Sequence, residues 1–136
     1  MTDAPTALPD PLPIRPADGP LDATVRVPGS KSITNRALVC AALADGTSTL
    51  EGALFADDTE AMVGVLGALG VRVDADGGHE RPTVRGVAGR VAPGEGVEVD
   101  VRQSGTTARF ALPLLALGRG SYRVTAHPQM RERPMD

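Results

Sequence analysis

Aromatic side chains are almost missing from this sequence: there is no tryptophan, one tyrosine and two phenylalanines in 136 residues. A core must therefore be assembled from Ala, Val and Leu, which suits layered α/β packing better than an aromatic-rich β-sandwich. Cysteine is represented by Cys40 alone, so no internal disulfide can form, and with two scattered histidines there is no metal-binding set. Set within an apolar helical pattern, Cys40 is expected to be a small buried side chain. No stretch approaches the roughly 18 unbroken apolar residues of a membrane helix, so no membrane partner is expected. A secretory signal is also lacking, because the first twenty residues hold an early Asp and six prolines. Residues 1–20 are expected to be an extended or disordered Pro-rich extension, and the cytoplasm is the expected location. A basic field is missing as well. The formal charge of −3 and a pI near 5.3 argue against a nucleic-acid partner.

Lysine is the most informative scarcity. Lys31 is the one lysine in the chain, and arginine supplies the other thirteen of its fourteen basic residues. The two are not equivalent: Lys is a compact, rotatable ammonium, whereas Arg is a permanently charged planar fork. Lys31 stands in "VPGSKSITNRAL", flanked by Gly29, Ser30 and Ser32 just before an apolar run.

The length is that of about one domain. "LDATVRV" (21–27) alternates as a strand and stops at Pro28. Ser32 can cap a helix through about Ala44, with Ile33, Ala37, Cys40, Ala41 and Ala44 on one face, ended by Asp45-Gly46. "STLEG" reads as a short strand, and "DDTEAMVGVLGAL" (57–69) as a helix with an acidic first turn matched to its dipole. "VRVDA", "PTVRGV" and "GVEVDV" are further strands. "SGTTARFALPLLAL" (104–117) is a third helix that Pro113 bends or delimits, and "GSYRVTA" is a strand. The fold class is α/β of the α+β type, a mixed sheet with helices on one face. A second strand–helix start at 97–126 hints at a repeated unit.

Three elements favour anions. At Lys31 a Gly-Ser turn opens a helix N-terminus, where free N–H groups and the dipole attract negative charge, and Arg36 lies one turn on from Ser32. Spacing excludes a Walker loop, which needs Gly directly before the Lys and another five positions earlier, where this chain has Ser30 and Val25. "QSGTTAR" (103–109) repeats the device: Gly105 allows close approach to the backbone, and Arg109 lies one turn in. "RERP" adds Arg131 and Arg133. Asp57 and Asp58 fit either catalytic carboxylates or helix-capping acids. Together these elements point to a small ligand with more than one acidic group.

"PGSKSITNRAL", "DDTEAMVGVLGALGV", "SGTTARF" and "MRERPM", in this order and spacing, resemble the first part of the 5-enolpyruvylshikimate-3-phosphate synthase family. The resemblance covers residues from about 21 to the end and implies a partial enolpyruvyl transferase domain over 21–136. That domain would hold one complete βαβαββ unit and the start of the next, within a two-domain architecture whose active site lies in the cleft between domains. The implied reaction transfers the enolpyruvyl group of phosphoenolpyruvate to the 5-hydroxyl of shikimate 3-phosphate, releases phosphate, and uses no metal or organic cofactor. Position by position, Lys31, Ser32 and Arg36 would hold shikimate 3-phosphate. Lys31, Gly105 and Arg133 would hold phosphoenolpyruvate, with Lys31 also catalytic. Thr106 would shape the pocket where glyphosate competes in this family. Gln103 departs from the Asn that the family often has there. Family members are several times longer and the full-length enzyme is expected to be a monomer, so this chain would hold half a site and no turnover. Two alternatives stand beside this reading. A nucleotide-sugar enolpyruvyl transferase typically has Asn after the first Lys and a reactive loop Cys. The other is a non-catalytic anion-binding module complete at 136 residues.

Overall fold

The computed structural model describes residues 10–75, 81–92 and 94–134. The α/β alternation expected from the sequence is present, as four helices and five strands among these residues. Residues 10–30 carry no regular structure and are almost wholly exposed, while residues 1–9 of the Pro-rich extension lie outside the described part.

The expected strand at 21–27 does not form. Its alternation is suitable, but a strand needs a neighbour to receive its backbone groups, and no described residue pairs with it. Val25 and Val27 consequently stand about three-quarters exposed.

Helix α1 spans Lys31–Leu43, and its N-cap is Ser30 rather than Ser32: the Ser30 hydroxyl accepts from the Ile33 N–H at 3.4 Å. The buried face also differs from the expected one. Thr34, Asn35, Leu38, Ala41 and Ala42 point inward, whereas Ile33 and Cys40 are exposed, so Cys40 is not the buried side chain expected of it. Beyond Gly46 (φ +95°), the loop after β3 turns back to close the far end of α1. The N–H groups of Val87, Ala88 and Gly89 donate to the carbonyls of Ala42, Ala44 and Leu43 at 2.8–3.0 Å, satisfying acceptors that a helix end leaves open. Gly86 makes this possible, since a Cβ there would overlap the carbonyl oxygens of Ala44 and Ala41.

Strands β1 (Thr47–Thr49), β2 (Arg72–Asp74) and β3 (Thr83–Arg85) form an antiparallel sheet in the order β1-β3-β2. Helix α2 (Asp57–Ala68) lies between β1 and β2 in sequence. The last unit is a parallel βαβ: β4 (Gly94–Asp100), α3 (Gly105–Leu117) and β5 (Gly120–Thr125), with β4 pairing directly to β5. The described strands thus divide between an antiparallel sheet and a parallel pair, where the sequence reading placed them in one mixed sheet. Pro113 sits inside α3 without ending it. A short α4 (Pro128–Arg131) follows.

Leu38, Met62, Val65, Leu66, Val84, Val99, Ala111 and Leu114 belong to one buried cluster shared by α1, α2, α3 and both sheets. The buried polar side chains among the described residues are Thr34, Asn35, Thr59, Ser104 and Thr107. All five lie at the starts of α1, α2 and α3, so the core grades from apolar to polar towards one end.

Candidate anion-binding site at three helix starts

That polar end is where the helix N-termini meet. Lys31 is the first residue of α1, and its Nζ donates to Asp58 Oδ2 in the first turn of α2 at 3.0 Å. The Asp58 main-chain carbonyl accepts from the Thr107 hydroxyl of α3 at 2.9 Å. Ser104 caps α3 by accepting the Thr107 N–H at 3.1 Å, and its hydroxyl is among the groups that hold the Asp58 carboxylate below its usual pKa. Each helix start carries unpaired N–H groups and the positive end of a dipole, so three together make a field that favours anions.

Local sequence sets this convergence. The turn into α1 runs Pro28-Gly29-Ser30, and Gly29 packs directly on the backbone of Gly52–Leu54, where a Cβ would collide with the Gly52 carbonyl. The Thr34 hydroxyl accepts the Leu54 N–H at 3.0 Å, tying the same loop to α1. Thr59 starts α2 by accepting the Ala56 N–H at 2.8 Å and donating to the Ala56 carbonyl at 2.9 Å. Before α3, Arg102 adopts a left-handed φ of +50°. It is fixed there by Asp100 Oδ1, which accepts its N–H at 2.9 Å, by Glu60 Oε2 at 3.2 Å from its guanidinium, and by the His127 N–H on its carbonyl at 2.9 Å. Few non-Gly residues adopt this conformation, and it aims the chain into the Ser104–Gly105 turn.

Electrostatics mark Asp58. Burial would raise its pKa, but the Ser104 hydroxyl, the Lys31 ammonium and the Arg133 guanidinium more than offset that, so it lies below the ordinary aspartate value. Arg133 also faces Gly105: its Nη1 lies 3.7 Å from where a Gly105 Cβ would be.

Of the residues singled out in the sequence, the structure brings Lys31, Gly105 and Arg133 into one neighbourhood, with Asp58 among them. Arg36 is exposed one turn along α1 and donates to the Ser32 carbonyl at 3.3 Å, while Ser32 and Thr106 are partly exposed at the starts of their helices. Asp57, Gln103 and Arg131 instead line an open cleft of about 670 Å³ beside the cluster, with Glu98, Arg102 and His127. Arg131 is further committed to the Ala126 carbonyl at 2.9 Å, and Arg109 to the Pro134 carbonyl at 3.4 Å. Sequence reasoning placed the first cap at Ser32 instead of Ser30, and missed Asp58 as the group that joins α1 to α3. The signal for the first cap was present, a serine directly before the helix start.

Comparison with known proteins agrees in extent as well as kind. A sequence model of the family described as EPSP synthase (3-phosphoshikimate 1-carboxyvinyltransferase) matches residues 16–136. The 3-phosphoshikimate 1-carboxyvinyltransferase of Nostoc punctiforme is 46% identical over 126 residues, covering 93% of this chain and 29% of that protein. Its counterpart in Opitutus terrae is 45% identical over 129 residues, covering 94% of this chain and 30% of that protein. A solved EPSP synthase from Acinetobacter baumannii superposes with a TM-score of 0.71 at 26% identity, over 82% of this chain and 25% of that one. The chain therefore spans about 29% of the length of the curated relatives it matches. Its helix-start cluster, its strand–helix order and these likenesses agree: the chain belongs to the EPSP synthase family.

Proposed function

We propose that this segment supplies part of the active site for enolpyruvyl transfer from phosphoenolpyruvate to the 5-hydroxyl of shikimate 3-phosphate, with release of phosphate. The observation that carries the reading is the convergence of Lys31, Asp58, Ser104 and Arg133 where α1, α2 and α3 begin. Both substrates are anions with more than one acidic group, and this end of the molecule concentrates cations, helix dipoles and small flexible turns.

In this reading Lys31 lies between the two substrates. An ammonium has three donors, and Asp58 takes one of them, leaving two for ligand oxygens. Ser32 and Arg36 extend the α1 side towards the phosphate and carboxylate of shikimate 3-phosphate. Gly105 brings no side chain against Arg133, where the charge of phosphoenolpyruvate would be met. Transfer needs charge neutralised on the breaking C–O bond and a proton managed as the tetrahedral adduct forms and collapses, and a positioned ammonium can serve both needs. A cytoplasmic, monomeric full-length enzyme belongs to the same proposal. The test uses a full-length synthase carrying this segment. Lys31→Met should lower phosphate release that depends on shikimate 3-phosphate by about 10²–10⁴-fold while the fold persists. Undiminished release would refute the assignment.

A further inference from the structure

A carboxylate is out of place in a site built to attract anions, because its charge repels the ligand. Asp58 is nevertheless held from two sides: its side chain bonds Lys31, and its main-chain carbonyl takes the Thr107 hydroxyl. It joins residues 27 and 49 positions away along the chain, on α1 and in the first turn of α3. Helix-dipole compensation alone does not explain this arrangement. Asp57 and Glu60 stand in the same first turn, and Asp58 is the one turned onto the Lys31 ammonium.

The two partners differ in exposure: the Lys31 side chain is 48% exposed and that of Asp58 is 25% exposed. The carboxylate is thus tucked behind the ammonium, and the open side of Lys31 faces outward. We propose that Asp58 is a positioning residue that acts through Lys31, occupying one ammonium donor from behind so that the other two are presented to the substrates. This proposal rests on the assignment of Lys31 made above. Asp58 touches no substrate in this scheme. The Thr107 hydroxyl on its main-chain carbonyl ties the same residue to the start of α3.

Electrostatics and positioning predict opposite signs, which makes the proposal testable. Removing a negative charge from an anion site should strengthen the binding of both substrates if Asp58 merely adds charge to the field. Loss of orientation should instead lower kcat, since a misplacement of about 1 Å at a reacting group can cost on the order of 100-fold. In a full-length synthase carrying this segment, Asp58→Asn should reduce kcat by roughly 10–100-fold, with KM for phosphoenolpyruvate and shikimate 3-phosphate changing by only a few-fold. In a Lys31→Met background the same change should alter residual kcat less than about threefold, because a residue acting through Lys31 has nothing left to position. Asp58→Glu keeps the charge and should recover part of the loss. Where the Asn variant fails to show a cooperative thermal transition, the Glu variant replaces it in the same cycle. A silent Asp58→Asn, or equal losses in both backgrounds, overturns the proposal while leaving the Lys31 assignment intact. Undiminished turnover in Lys31→Met overturns both.

Discussion

Arg133 Nη1 and Met130 Cε lie 3.7 and 3.8 Å from the point where a Cβ on Gly105 would stand. Those are ordinary contact distances, so a methyl would fit there and the hydrogen at Gly105 is not demanded by packing. Gly105→Ala should leave thermal stability unchanged or slightly raised, as expected where a helical conformation accepts Ala without strain. The added methyl should raise KM for phosphoenolpyruvate by about tenfold, roughly 1.4 kcal/mol of binding, with less effect on shikimate 3-phosphate. Steady-state kinetics with each substrate varied in turn would check it. Equal effects on both substrates would count against the placement of phosphoenolpyruvate here.

Lys31→Arg separates charge from chemistry. Arginine keeps the cation but puts a wide planar fork against Asp58 in a turn that Gly29 already packs tightly. The variant should lose about 10²–10⁴-fold in kcat, the usual worth of a positioned proton-transfer group. Arg36→Lys should instead weaken shikimate 3-phosphate binding more than it slows turnover, because it loses a forked contact. Near-normal kcat in Lys31→Arg would reduce Lys31 to an electrostatic contact.

Acid should find Asp58. Its folded pKa lies below the ordinary value of 3.8. A depressed carboxylate contributes stability that is complete above its unfolded pKa and is lost as pH falls through the folded one. The contribution is therefore intact at neutral pH and fades below about pH 4. Urea unfolding between pH 3 and 7 should show a steeper acid limb in the native protein than in Asp58→Asn. Identical limbs would mean that Asp58 is equally solvated in both states.

Asn35 is fully buried, and neither its amide nitrogen nor its amide oxygen has a hydrogen-bond partner among the described residues. An unmatched buried polar group costs about 1–3 kcal/mol, whereas an apolar group of similar shape costs little. Asn35→Leu should hold stability level or raise it by about 1 kcal/mol in denaturant titrations. A marked fall would show that the folded protein gives this amide a partner.

Much of this was legible in the sequence, for reasons visible in particular residues. Helix α2 and the β4–α3–β5 unit announced themselves through an acidic first turn, capping hydroxyls and alternating valines, all of them local signals. The start of α1 at Lys31 and of α3 at Gly105 was legible from small residues and hydroxyls beside them, whereas the nearness of Arg133, which follows the end of α4, is a property of the fold. Three further things were not legible. The alternation of Leu21 to Val27 specifies a strand only if an edge is available, and an edge is a property of the fold. The face of α1 was misjudged because burial there follows position rather than hydropathy: Thr34 and Asn35 go in, Ile33 and Cys40 stay out. Asp58 was ambiguous because an acid in a first turn already has a sufficient local reason, and the partner that gives it a second lies 27 residues away.

The parallel ladder of β4 and β5 carries a consequence for handling the molecule. Two parallel strands seldom stand alone, since such sheets are normally covered on both faces and extended on both sides. Here each strand has one hydrogen-bonded flank and one flank with no ladder partner among the described residues, and Val124 on β5 is 40% exposed. An open flank of this kind is a template for any strand that arrives, including an identical one. For a polypeptide of these 136 residues, solubility then becomes a question of concentration, and dilution should release material that concentration had driven together.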